Sequence, residues 1–117
     1  MEKKEKQYSL LLKDKEEKKI VSKKYTKAWS YAREAASYLK ENYSVNDVYI
    51  FGSLVDKKRF TINSDIDLAV TGLAPNNYYA AVGAVTKIIL DYKVDLVDLN
   101  DCQEYLKEAI LREGVKI

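Results

Sequence analysis

The chain has 117 residues, 20 Lys and Arg against 18 Asp and Glu, one cysteine (Cys102) and no histidine. That is the length of one domain; the missing histidine removes Ser-His-Asp triads, Cys-His pairs and most zinc sites, and a lone cysteine rules out an internal disulfide and suits a reducing cytosol. A net charge of +2 gives no argument for nucleic acid or a membrane, and with no transmembrane-length run and no signal-peptide pattern, a cytoplasmic protein is expected.

Residues 1–19 alternate Lys and Glu around one apolar knot, Leu10 to Leu12, and read as a charged arm or a helix extension ahead of a domain at 20–117. Exposed leucines need a neighbour, so a partner-docking arm is the rival reading. From Ile20 the spacing of Val21, Tyr25, Ala28, Ala32, Ala35 and Leu39 predicts one helix to about Asn42, its stripe widened by Trp29, Ala36 and Tyr43. The run 47–51 reads as a strand ended by Gly52-Ser53, and 53–60 as one or two helical turns. A second strand is predicted at 65–70 after the turn-like Asn63-Ser64, then a loop with Gly72 and Pro75. The segment 78–92 has helical spacing at Tyr79, Val82, Val85 (or Ala84) and Ile89, and 94–99 reads as a third strand. A last helix follows from Cys102, capped by Asn100 or Asp101 and stopped by Gly114. The expected fold is α/β or α+β: a small sheet with helices on one side.

Strand alternation makes the aspartates informative. Asp65, Asp67 and Ala69 share one face of the second strand, and Ile66, Leu68 and Val70 the other. On the third strand Asp95 goes with Val97 and Leu99, while Asp98 goes with Val94 and Leu96. If the strands are neighbours, Asp65, Asp67 and Asp95 converge, and like charges that close repel unless a cation lies between them. A hard divalent ion such as Mg²⁺ accepts a few carboxylates together with substrate phosphates. Two such ions can clamp both oxygens of a phosphoryl displacement. Gly52 lets backbone approach a phosphate closely, and Ser53 adds a hydroxyl donor.

"GSLVDKKRFTINSDIDLAV" followed by "VDLVDL" resembles the minimal nucleotidyltransferases of the DNA polymerase β-like nucleotidyltransferase superfamily, over roughly residues 25 to 116. The resemblance implies a mixed sheet flanked by helices, with transfer of a nucleoside monophosphate from a triphosphate. It assigns Gly52 and Ser53 to the nucleotide, Asp65 and Asp67 to two Mg²⁺ ions, and Asp95 to the third catalytic and metal-binding carboxylate. Asp98 is the rival for that third place. Small solitary members of the family often accompany a HEPN toxin as its antitoxin and attach AMP from ATP to a toxin tyrosine. That makes protein AMPylation the leading expectation, with a HEPN-type partner. The alternatives are an antitoxin that only binds its partner, and transfer to RNA or a small molecule. Homo-oligomerisation stays open.

One departure from the family pattern is visible. Eleven residues, rather than about ten, separate Ser53 from Asp65. Asp56, Lys57 and Lys58 stand where relatives commonly show Arg-Gly. Lys57, Lys58 and Arg59 are then either phosphate contacts or a solvated basic loop.

Overall fold

The computed structural model describes the backbone from Glu2 to Ile117 and side chains from Asp14 onward. Helix α1 (Glu2–Tyr43) is followed by β1 (Asp47–Phe51), a 3₁₀ turn (Gly52–Val55) and β2 (Ile66–Thr71). Then come a short 3₁₀ turn (Pro75–Asn77), α2 (Tyr78–Ile88), β3 (Val94–Asp98), α3 (Glu104–Glu113) and β4 (Val115–Lys116). The four strands form one sheet in the order β3-β2-β1-β4. β1 runs antiparallel to β2 and β4, while β2 and β3 are parallel, joined through α2.

Helix α1 is longer than the apolar stripe alone predicts, because the Lys- and Glu-rich segment continues the same helix. Charged residues that are good helix formers extend a helix without needing a core. From Asp14 to Ile20 every residue is exposed. Burial begins where the stripe begins: Ala28, Ala32, Ala35 and Leu39 are fully buried, with Val21, Tyr25, Trp29 and Tyr43 packed at the margin. The Leu10 to Leu12 knot lies outside the described side chains. The helix ends at Ser44, which takes a left-handed turn (φ 55°) of the kind that commonly closes helices.

The sheet separates two apolar clusters. Val48 and Ile50 of β1, Ile66, Leu68 and Val70 of β2, and Leu96 of β3 join α1 and α2. Tyr49, Phe51, Ala69 and Val97 face the other way and meet Leu106 and Ile110 of α3. The expectation of helices on one side is therefore corrected. Leu106 and Ile110, four apart on α3, form the apolar stripe that covers the second face. Leu39→Ala, at the centre of the first cluster, is expected to cost about 3 kcal/mol in urea unfolding, as transfer and cavity terms add.

Other boundaries moved for local reasons. α2 stops at Ile88 because the next residues turn to α1: Asp91 pairs with Lys27 at 2.7 Å and Tyr92 Oη donates to the Lys24 carbonyl at 2.8 Å. Tyr79, expected on the inner stripe, is 86% exposed, and Tyr78 turns inward instead, its hydroxyl donating to the Leu96 carbonyl at 2.6 Å. Asn100 and Asp101 do not cap α3. Their N–H groups turn back onto Asp98, to its Oδ1 and its carbonyl, each at 3.0 Å, so the helix begins at Glu104 after Gln103. β4 follows Gly114 directly and pairs with Tyr49 and Ile50, too short for sequence periodicity to announce.

Candidate active site

β2 and β3 are adjacent, and their register sets Asp67 directly beside Asp95. Parallel partners in register point to the same face, here the α3 side. Phe51, the last residue of β1, pairs with Asp67 from the other direction. The chain then turns at Gly52, whose φ of +73° is left-handed. The bare α-carbon lies against the Asp67 carboxylate: a Cβ built on Gly52 would collide with Asp67 Oδ2 and stand 3.2 Å from its Cγ. Glycine is required twice here, by its backbone angle and by the carboxylate in front of it.

Asp65 immediately precedes β2, where the Ile66 N–H donates to the Lys93 carbonyl and ties the strand's start to β3. The turn before it is closed by Ser64 Oγ, which accepts from the Thr61 N–H at 2.8 Å. Asp65 acts on Asp67 through its charge. Burial, then the neighbouring Asp95 charge and a proton-sharing contact with it, then Asp65, push the Asp67 carboxyl up to about 6, and Lys93 pulls weakly the other way. The structure thus brings Asp65, Asp67 and Asp95 to one end of the sheet, with Gly52 against Asp67 and Ser53 next to it. It sends Asp98 elsewhere. Asp98 points to the α1–α2 side, is 8% exposed, and caps the turn into α3.

Among the described residues, no three Asp, Glu, Cys or His side chains close into a ready-made ion cage. The carboxylates form an open wall instead. An all-oxygen donor set that leaves room for other ligands is what Mg²⁺ takes when substrate phosphates complete its shell. Burial first, and then the neighbouring carboxylates, raise the affinity of Asp67 for a proton. The residues present therefore fit the hard divalent ion that the family resemblance implies.

A cleft of about 190 Å³ opens on the far side of Gly52 from Asp67, between the 3₁₀ turn and α3, and is mostly apolar: Phe51, Val55, Leu106, Ala109 and Ile110 line it with Gly52, Arg59 and Glu113. The α3 wall is not legible in the sequence, because helical spacing does not tell which face of the sheet a helix covers. Lys93 does not stand out by pattern either, its position just before β3 being the available signal.

Against this geometry, the family model described as "Polymerase beta, Nucleotidyltransferase" matches residues 33–117. The chain belongs to that nucleotidyltransferase family. Solved structures agree. One chain of the MntA–HepT toxin–antitoxin complex is 25% identical to this nucleotidyltransferase, covering 75% of it and 69% of its own length, at a TM-score of 0.57. A chain of a toxin–antitoxin complex with AMP-PNP is 26% identical over 71% of this chain and 69% of its own, at 0.58. A candidate minimal nucleotidyltransferase is 27% identical, covering 73% and 88%, at 0.59. No curated protein matches the chain in sequence. The expected mixed sheet with flanking helices is the fold observed.

Proposed function

We propose that this nucleotidyltransferase moves AMP from ATP onto a hydroxyl of a HEPN-type partner protein, most simply a tyrosine, and so acts as the antitoxin of a toxin–antitoxin pair. The observation that carries the proposal is the Asp67–Asp95 register with Gly52 pressed against Asp67. A pure binding surface has no use for clustered, half-buried like charges. The likeness to toxin–antitoxin structures, one of them with AMP-PNP, supports the choice of partner and of nucleotide.

In this reading Asp65, Asp67 and Asp95 hold Mg²⁺. When bound, the metal neutralises phosphate charge and favours the ionised acceptor. Gly52 admits the triphosphate to within backbone reach, and Ser53 donates its hydroxyl to a phosphate oxygen. Asp95, at the open side of the pair, takes the proton of the acceptor hydroxyl. The acceptor oxygen bonds to the α-phosphorus, the bond from that phosphorus to the bridging oxygen breaks, and pyrophosphate leaves.

The chain incubated with a HEPN-type partner, ATP and Mg²⁺ should give a partner heavier by whole AMP units in intact mass spectrometry. The adduct should disappear with chelator and with Asp65→Asn. A partner that is bound tightly but never modified would favour the stoichiometric antitoxin. An adduct found only on RNA or a small molecule would replace the acceptor class.

A further inference from the structure

Alongside the last residues of β3, away from Gly52, lies a second pocket of about 430 Å³. Pro75, Tyr78 and Tyr79 wall it where α2 begins, and Asp98, Asp101 and Cys102 wall it at the turn into α3. No Lys or Arg lines it. Asp98 is 8% exposed, and its Oδ1 accepts from the Asn100 N–H. Its Oδ2 takes no hydrogen bond from the described residues. Since no enclosed side-chain oxygen among them lacks a partner, that oxygen opens into the pocket Asp98 lines. Asp101 is exposed, and the turn uses only its backbone. Neither carboxylate belongs to an ion pair among the described residues.

The rings are left without a cation too. Elsewhere in the chain Lys24, Lys27, Arg33, Lys57 and Lys116 each lie over an aromatic ring. Among the described residues Tyr78 and Tyr79 carry no such cation; they stand edge-to-face, centroids 5.4 Å apart, with Tyr79 almost wholly exposed. Carboxylates and aromatic faces around one space suit a positive charge. No third carboxylate among the described residues completes a metal cage, and the rings favour an organic cation, a guanidinium or an ammonium.

The pocket's place in the sheet indicates where such a cation comes from. The strand order sets Gly52 and Ser53 on one flank of the aspartates and β3 on the other. In-line displacement requires the acceptor to arrive opposite the leaving pyrophosphate. With the triphosphate held at Gly52, the acceptor comes from the β3 flank. Asp98 lies three residues beyond Asp95 on that strand, about 10 Å along it. Resting on the nucleotidyltransferase reading above, we infer that this pocket takes a Lys or Arg side chain of the acceptor protein, close to the hydroxyl that receives AMP. Asp98, Asp101 and the tyrosine pair then help to select the acceptor.

The full chain, isotope-labelled for NMR, is titrated with N-acetyl-arginine amide and with N-acetyl-citrulline amide, which has nearly the same shape without the charge. The arginine probe should move the amide signals of Tyr79, Asp101 and Cys102, and bind at least about 10-fold more tightly than the citrulline probe. Asp101→Asn should remove most of that preference and melt as wild type does, since its side chain takes no part in the turn. Equal binding of the two probes, or a preference that survives both Asp101→Asn and Asp98→Asn, overturns the inference and leaves the proposed function standing. In AMP transfer to a HEPN-type partner, Asp101→Lys should raise the KM for the partner about 10-fold or more. The same variant should leave kcat and the affinity for a non-hydrolysable ATP analogue unchanged; a loss in either, with the KM unmoved, overturns acceptor docking. If arginine binds the pocket and no partner is ever modified, the acceptor role falls together with the proposed function.

Discussion

Asp67→Asn should reduce nucleotide transfer by at least about 10³-fold and at the same time make the free protein more stable at neutral pH. The loss is of the size seen when a group that stabilises developing charge is removed from such a site. The gain follows from the electrostatics of the apo site. In the folded chain the carboxyl is held up to about 6 by burial, by Asp95 and by Asp65, whereas an unfolded aspartate titrates near about 3.9. Below about pH 4 the group is neutral in both states and costs nothing. Between about 4 and 6 the unfolded chain gives up its proton first, so stability falls as pH rises, and above about 6 the whole cost is present. Discounted for a carboxylate that solvent still reaches, that cost is on the order of 1 kcal/mol, or about 4 °C in melting temperature. Melting curves from pH 3.5 to 8 should show wild type and variant together at the acid end and the variant higher above pH 6. Mg²⁺ with a non-hydrolysable nucleotide should raise the wild type far more than the variant, because only the wild type has the charge that the ion stabilises. A variant no more stable than wild type at pH 8 would mean that Asp67 is satisfied in the apo protein by something other than a proton.

Gly52→Ala should be the most damaging single-methyl change outside the core. The left-handed backbone (φ +73°) costs an alanine about 1–2 kcal/mol, and the added Cβ must displace the Asp67 carboxylate as well. A loss of about 2–4 kcal/mol in urea unfolding is expected, together with loss of nucleotide binding. The two causes separate in a double-mutant cycle. Asp67→Ala removes the collision and should restore part of the stability of Gly52→Ala, leaving only the backbone penalty. Strict additivity of the two changes would show that the Gly52–Asp67 approach carries no energy.

Much of this site was readable before any fold was known, because strand alternation is a strong constraint. It placed Asp65 with Asp67, Asp95 with Val97, and Asp98 with Leu96, and one adjacency, β2 beside β3, was enough to bring the first three together. That adjacency was conditional in the sequence and comes from the structure. Other features depended on tertiary contacts that a local pattern does not encode. The side of the sheet taken by α3 was decided by Leu106 and Ile110 meeting Ala69. Tyr79 fits an inner stripe as well as Tyr78 does by spacing, and the Leu96 carbonyl chose between them. Asn100 and Asp101 are good capping types, yet Asp98 took their N–H groups first. In "DKKRF" the charges look equivalent in sequence. The fold separates them, with Lys57 over the Tyr25 ring and Arg59 lining the cleft beside Gly52.

The hydrogen bonds that Tyr78 and Asp101 make to β3 have a further consequence for how this protein meets others. β3 is the last strand on its side of the sheet, and an uncovered outer strand is a template on which foreign strands add and aggregates grow. Here the outward carbonyls of Leu96 and Asp98 are already taken, by a phenol and by a turn. On the opposite side β4 offers only two residues. An incoming strand would have to break those bonds before it made its own. Association by strand addition is thus disfavoured at both ends of the sheet, and a partner has to recognise side chains on the helices and loops, leaving the sheet's edges out of the encounter.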